Sequence, residues 1–212
     1  MLRENKWKLL VTTLIALIPM LVGVILWDRL PDTVATHFNV SNEPDGWSSK
    51  WFAVFGLPGM LAGLHLFCLA ITSADPKHKN IGKKPIGILF WIIPCVSLAA
   101  CTLTYAISLG VRVNIGCVIT LLLGVLFVVL GNQLPRARLN YTFGVRLPWT
   151  LHDEQNWNRT SRFAGWCLAL GGVVLIATSF WANPWIVFAV VALIAAAPIV
   201  YSYVDYVRGK KE

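Results

Sequence analysis

Any chemistry in this chain would most naturally come from the stretch between Leu30 and Lys50, which reads LPDTVATHFNVSNEPDGWSSK. One histidine, His37, shares it with the carboxylates Asp32, Glu43 and Asp45 and the hydroxyls Ser48 and Ser49. Histidine among carboxylates is the raw material of a metal site or of acid–base catalysis, and Ser-His-Asp of a nucleophile triad. A hydrolytic zinc site, however, usually takes three protein ligands, often with two histidines on one helix face. Here there is no HExxH, and His65, His78 and His152 fall in other segments. Nothing resembling a nucleophile elbow surrounds Ser48 or Ser49. No residue is therefore assigned a catalytic role, and neither a metal nor a cofactor is expected.

The elements that must position this island are apolar. Hydrophobic residues make up 57% of the 212, and charged residues only 13%, about half the charged share of a soluble domain. A soluble fold of this size could not hide so much apolar surface, so the composition predicts an integral membrane protein. Cys68, Cys95, Cys101, Cys117 and Cys167 all lie in apolar stretches, without a CxxC pair, and read as small buried hydrophobes. Runs long enough to cross hydrocarbon, at roughly 20 residues each, fall near 8–27, 52–74, 86–108, 114–132, 164–182 and 185–205. Backbone groups in lipid must be satisfied within the segment, which makes these runs helices. The first resembles a signal peptide but is too long and lacks an Ala-x-Ala site, so it is expected to be an uncleaved span. The fold class is thus all-α with six transmembrane helices.

Charge placement then predicts sidedness. Arg3, Lys6 and Lys8 precede the first span; Lys77, Lys79, Lys83 and Lys84 fill the second connection. Arg136, Arg138, Arg146, Arg159 and Arg162 fill the fourth, and Arg208, Lys210 and Lys211 close the chain. The alternate side holds only Arg29, Lys50 and Arg112. By the positive-inside rule both termini are cytoplasmic and the 28–51 loop is extracellular. The net charge of +8 is then a topological signal and an affinity for anionic membrane lipids, with no need of direct nucleic-acid binding.

In the outer loop Pro31 stops the first span, residues 33–40 favour an extended segment, and 41–46 are turn formers. His37 and Asn39 are expected to bond the loop to itself, with Glu43 and Asp45 facing water. Asp28, Asp32, Glu43 and Asp45 against Arg29 and Lys50 give a slight negative excess that suits a cationic peptide. In the inner loop, 133–163, Thr150 and Asp153 match the [ST]-x-x-[DE] capping pattern. That predicts a short interfacial helix over about 151–164, with Trp157 and Ser161 on one face and Arg159 and Arg162 near lipid phosphates. Within the spans no Asp or Glu sits at mid-depth, which disfavours a proton-coupled exporter. His65 is the one ionisable group at depth apart from tyrosines; a neutral imidazole bonded to a neighbouring helix is the favoured reading. Gly59 and Gly63 in the same span are spaced for close helix packing.

The inner loop also carries a longer pattern. Asn140, Gly144, Arg146, Pro148, Trp149, Thr150, an acidic pair, Trp157, Arg162 and Gly165 resemble the signature loop of SdpI-like membrane proteins. The outer Pro31, His37, Asn39, Asp45, Ser49 and Lys50 are similar to the small extracellular DUF1648 module found beside it. The resemblance covers essentially the whole chain. It implies a bacterial plasma-membrane immunity protein that protects against a secreted peptide toxin and captures a cytoplasmic transcriptional repressor. It also implies that the outer residues form a recognition surface. Where the family commonly has Gly before its acidic turn this chain has Asn42, which tolerates the left-handed backbone region. The expected organisation is 1–75 for two spans with the outer module, 76–132 for spans three and four, and 133–212 for the signature loop and spans five and six. The competing function is a small transporter or exporter of peptides or lipophilic compounds.

Overall fold

A computed structural model describes residues 1–209; Lys210 and Lys211 lie outside the described residues. Seven α-helices and one β-hairpin account for most of it: α1 (Lys6–Ile25), β1 (Thr33–Phe38), β2 (Pro44–Ser49), α2 (Leu57–Ala74), α3 (Lys83–Ser108), α4 (Ile115–Gln133), α5 (Pro148–His152), α6 (Glu154–Thr178) and α7 (Pro184–Gly209). All but α5 belong to helical stretches long and apolar enough to cross a membrane, six in number among the described residues. Large apolar side chains such as Leu21, Phe67, Leu170 and Leu193 point outward, as expected where lipid rather than water is the solvent. The chain sorts into two compact units, Met1–Ser73 with Ile88–Ile115 and Ala74–Gly87 with Gly116–Glu212.

In the first unit α1 presents a narrow buried stripe, Thr12, Ala16, Pro19 and Gly23. Its spacing of three and four residues is one helix face. Each level meets a polar partner. Thr12 Oγ1 lies 3.0 Å from His65 Nε2, Ser97 Oγ donates to Ala16 O at 2.8 Å, and Tyr105 Oη donates to Pro19 O at 3.1 Å and Ala53 O at 3.3 Å. Thr12 Oγ1 also sits 2.8 Å from Lys8 O, a contact in which only the hydroxyl can be the donor. The imidazole therefore donates through Nε2, leaving Nδ1 buried without a partner among the described residues. Gly23 is required here, because a Cβ would lie 2.8 Å from Val54 and 2.9 Å from the Tyr105 hydroxyl. The Gly59/Gly63 pair is not used as its spacing suggested. A Cβ on Gly63 meets nothing within 4 Å, and one on Gly59 meets only the flexible end of Met20 at 3.2 Å.

The extended outer segment is one strand of a hairpin whose return strand, Pro44–Ser49, begins within the stretch read as turn, 41–46. The turn itself is only Asn39–Glu43, closed by Asn39 N donating to Glu43 O at 2.9 Å. One turn of π-helix, Phe52–Gly56, then leads into α2.

In the second unit the close approach absent at Gly63 appears between α4 and α6. A Cβ on Gly131 would lie 2.6 Å from Gly165 O, and one on Gly165 would lie 2.7 Å from Gly131 O. Gly124 and Gly172 repeat this reciprocal contact at 2.8 and 2.6 Å. The seven-residue spacing on each helix keeps both pairs on one seam.

Candidate functional site

Two polar constructions hold the residues singled out above. The first is the hairpin. Asn39 turns its side-chain oxygen back to accept from Ser41 N at 2.9 Å and Glu43 N at 3.0 Å, an Asx turn that fixes the reversal. Asn42 completes it at φ 64°, the left-handed conformation expected of an Asn in a Gly position. His37 Nδ1 pairs with Asp45 Oδ1 at 2.5 Å across the strands. Gly46 lies opposite, where a Cβ would come 2.8 Å from that of His37. Asp45 is thus tied to His37, and of the two only the exposed Glu43 has no side-chain partner among the described residues. At the base, Lys50 Nζ donates to Trp27 O at 3.2 Å, pairs with Asp32 at 3.2 Å and lies over the Trp27 ring. Ser49 Oγ accepts from Phe52 N at 3.3 Å. Pro31 is exposed at the entry to the loop. These residues therefore shape and anchor the hairpin, while His37 and Asp45 present polar edges to solvent.

The second is the loop between α4 and α6. Asn140 is fully buried and uses its whole amide. Nδ2 donates to Arg138 O and Phe143 O, and Oδ1 accepts from Thr142 N and Phe143 N, all at 2.6–2.9 Å. Gly144, at φ 133°, lies flat against the Trp157 indole, where a Cβ would stand 2.7 Å from the ring. Trp157 is 1% exposed and donates through Nε1 to Ala137 O at 2.9 Å. The Thr150 hydroxyl donates toward Val145 O and accepts from Leu147 N. Trp149 on α5 donates to Ser202 Oγ at 3.0 Å and packs on Tyr203 and Tyr206 of α7. Arg146 donates to Tyr141 O at 2.8 Å, and Gly165 serves the helix seam. Pro148 opens α5; it and Arg162 are exposed.

The local helix differs from the expected interfacial one. Thr150 is occupied within the loop, so Asp153 caps instead, accepting from Gln155 N at 2.8 Å and Asn156 N at 3.2 Å. The helix that follows runs unbroken from Glu154 to Thr178, and its first turns are buried through Asn156, Trp157, Thr160 and Ser161. Trp157 and Ser161 do share a face, but that face packs against protein. Arg159 is not left to lipid phosphates: it pairs with Asp205 of α7 at 2.9 Å.

Several partners of this loop were invisible in the motif. Asn156 Nδ2 donates to Ser202 O at 2.9 Å and Asp205 Oδ2 at 3.1 Å, fastening α6 to α7. Asp75 is the larger omission. It is 6% exposed and accepts from Lys77 N at 2.7 Å through one oxygen. Its other oxygen accepts from Tyr141 N at 2.9 Å and Thr142 Oγ1 at 2.6 Å. Burial pushes its pKa up, but the Thr142 hydroxyl, the Lys77 and Tyr141 amides and the charge of His78 outweigh it. The net effect holds Asp75 below the ordinary aspartate value. Arg138 N donating to Asn80 O and Asn80 Nδ2 donating to Leu139 O add a second staple between the same segments. The available signal was the single acid in an otherwise basic connection, followed by Pro76.

Residues 14–62 match a domain of unknown function, DUF1648, and residues 136–202 match the SdpI/YfhL protein family. The Immunity protein SdpI of Bacillus subtilis (strain 168) is 27% identical over 208 residues, covering 96% of this chain and 97% of that one. No solved structure matches the chain. The two matched regions take in the hairpin-bearing segment and the loop clasped by α6 and α7, respectively. With likeness along nearly the full length of a relative, these matches show a multi-pass protein of the bacterial plasma membrane that is similar to the SdpI-like proteins.

Proposed function

We propose that the protein confers resistance to a secreted antimicrobial peptide, with the hairpin as the recognition element and the loop between α4 and α6 as the element that engages a cytoplasmic repressor. The observation that carries this reading is the likeness to a protein named as an immunity protein along 96% of the chain, spanning both constructions rather than one. Physical features support the division of labour. The hairpin is rigidly closed by Asn39 and pinned by Lys50, so Glu43, Asp45 and His37 are pre-organised, which lowers the entropy cost of binding. The loop is held by buried Asn140, Thr150 and Trp157, which leaves Arg146, Pro148 and Arg162 exposed on a fixed frame. In this reading the protein is not an enzyme, and its partners are lipids, the peptide and the repressor.

The test is expression in a cell sensitive to Sdp-type peptides, with membrane insertion verified. Survival should rise on challenge relative to a vector control. Unchanged killing by every such peptide, with the protein present in the membrane, would sink the resistance reading.

A further inference from the structure

Next to the hairpin tip, and apart from the His37–Asp45 pair, lies a cleft of about 410 Å³. Phe38, Asn42 and Pro44 wall it on the hairpin side; Ile107 at the end of α3 and Val111, Val113 and Asn114 from the turn that joins α3 to α4 wall it on the other. All of them belong to one compact unit. The far wall is rigid. Just past the end of α3, Gly110 takes φ 85°, Gly110 N returns to Ile107 O at 2.9 Å and Val111 N to Ala106 O at 3.0 Å, a Schellman stop. That stop delivers Arg112 to the cleft as its one charged lining residue. Arg112 is exposed, and no ion pair or hydrogen bond engages its guanidinium among the described residues. Lys50 differs, being occupied by Asp32 and Trp27.

Mostly apolar walls, with the amides of Asn42 and Asn114 among them, beside a single unengaged guanidinium suit a ligand with an apolar group and an adjacent carboxylate, which Arg can grip through two parallel N–H bonds. We propose that this cleft binds the C-terminal residue of an apolar peptide, its side chain between Phe38 and Val111 and its terminal carboxylate on Arg112. The proposal rests on the peptide-recognition reading above and names the site and end of the peptide. A peptide is favoured over a phospholipid because a two-stranded sheet leaves one edge of each strand open. No backbone-to-backbone hydrogen bond from outside the hairpin reaches Thr33–Phe38 or Pro44–Ser49 among the described residues. An extended peptide can add main-chain bonds to such an edge, and a lipid cannot.

The experiment uses the full chain in nanodiscs of zwitterionic phosphatidylcholine, with empty discs as the blank. The probe is a fluorescent Gly-Ser-Gly-Leu-Phe peptide, prepared with a free C-terminal carboxylate and as its C-terminal amide. The free acid should bind about tenfold more tightly, the scale of one charge-assisted interaction. That preference should vanish in Arg112→Gln and persist in Arg29→Gln, a cation outside the cleft. Equal binding of acid and amide, binding of neither, or an acid preference that survives Arg112→Gln would overturn the proposal. So would abolition of binding when phosphatidylglycerol replaces part of the phosphatidylcholine, since the cation would then belong to a lipid phosphate. Because the readout is binding, the acid preference can stand where the survival test fails, and the reverse.

Discussion

Replacing Asp75 with alanine should release the loop between α4 and α6 without unfolding the hairpin. The carboxylate holds that loop through two bonds, from Tyr141 N at 2.9 Å and Thr142 Oγ1 at 2.6 Å. Bonds to a charged acceptor contribute about 1.5–3 kcal/mol each. Tyr141 is exposed, so its freed amide regains water and the lower end applies, giving about 3 kcal/mol for the pair. At 1.36 kcal/mol per tenfold, local opening should be favoured by somewhat over a hundredfold. Amide hydrogen exchange of the full chain in nanodiscs reads this directly, as faster exchange across 139–146 with the hairpin amides as internal control. Asp75→Asn should give a smaller effect. One amide oxygen still serves either Lys77 N or the Tyr141–Thr142 pair, but not both. The sign with pH is also fixed. A depressed carboxylate stabilises above its unfolded pKa, and that stabilisation fades as pH falls through and below the ordinary aspartate value. Wild type should therefore loosen in acid, and Asp75→Asn should lose this dependence. Exchange in 139–146 that is unchanged in Asp75→Ala would refute the latch.

Three further outcomes follow from close contacts. Gly165→Ala forces a Cβ to 2.7 Å from Gly131 O and should lower the thermal midpoint, overpacking costing about 1–3 kcal/mol; Gly63→Ala, with open space around it, should leave it unchanged. Gly144→Ala combines a φ of 133° with a 2.7 Å approach to Trp157, so it should raise exchange at the Trp157 amide and across the loop. Asn42→Gly should be tolerated at φ 64°, whereas Asn42→Val should cost about 1–2 kcal/mol and speed exchange at the Asn39 and Glu43 amides.

The spans were legible because a membrane leaves few solutions: a run such as 52–74 must be helical, and its limits coincide with the observed stretch Phe52–Ala74. The hairpin was half legible. Its first strand alternates, but Pro44–Ser49 opens with turn formers and becomes a strand only by pairing with β1, with Gly46 making room for His37. Capping misled for a similar reason. Thr150 and Asp153 both fit the pattern, and only the folded loop shows that Val145 and Leu147 had claimed the hydroxyl. Asp75 and Asn156 act over separations of 66 and 49 residues, and no local pattern reports a contact of that range. The Gly131–Gly165 seam escaped because its members lie on different helices, while Gly59 and Gly63 had the familiar spacing without a partner.

The account stands on a hairpin that faces outward and a signature loop that faces inward. Single cysteines at Val40→Cys, exposed beside the turn, and Asn158→Cys, exposed on the first turns of α6, separate the two sides in intact cells. A membrane-impermeant maleimide should label position 40 and spare position 158 until the membrane is broken, with the unsubstituted chain as blank. Labelling at 158 alone from outside would place the signature loop on the outer face and contradict the account.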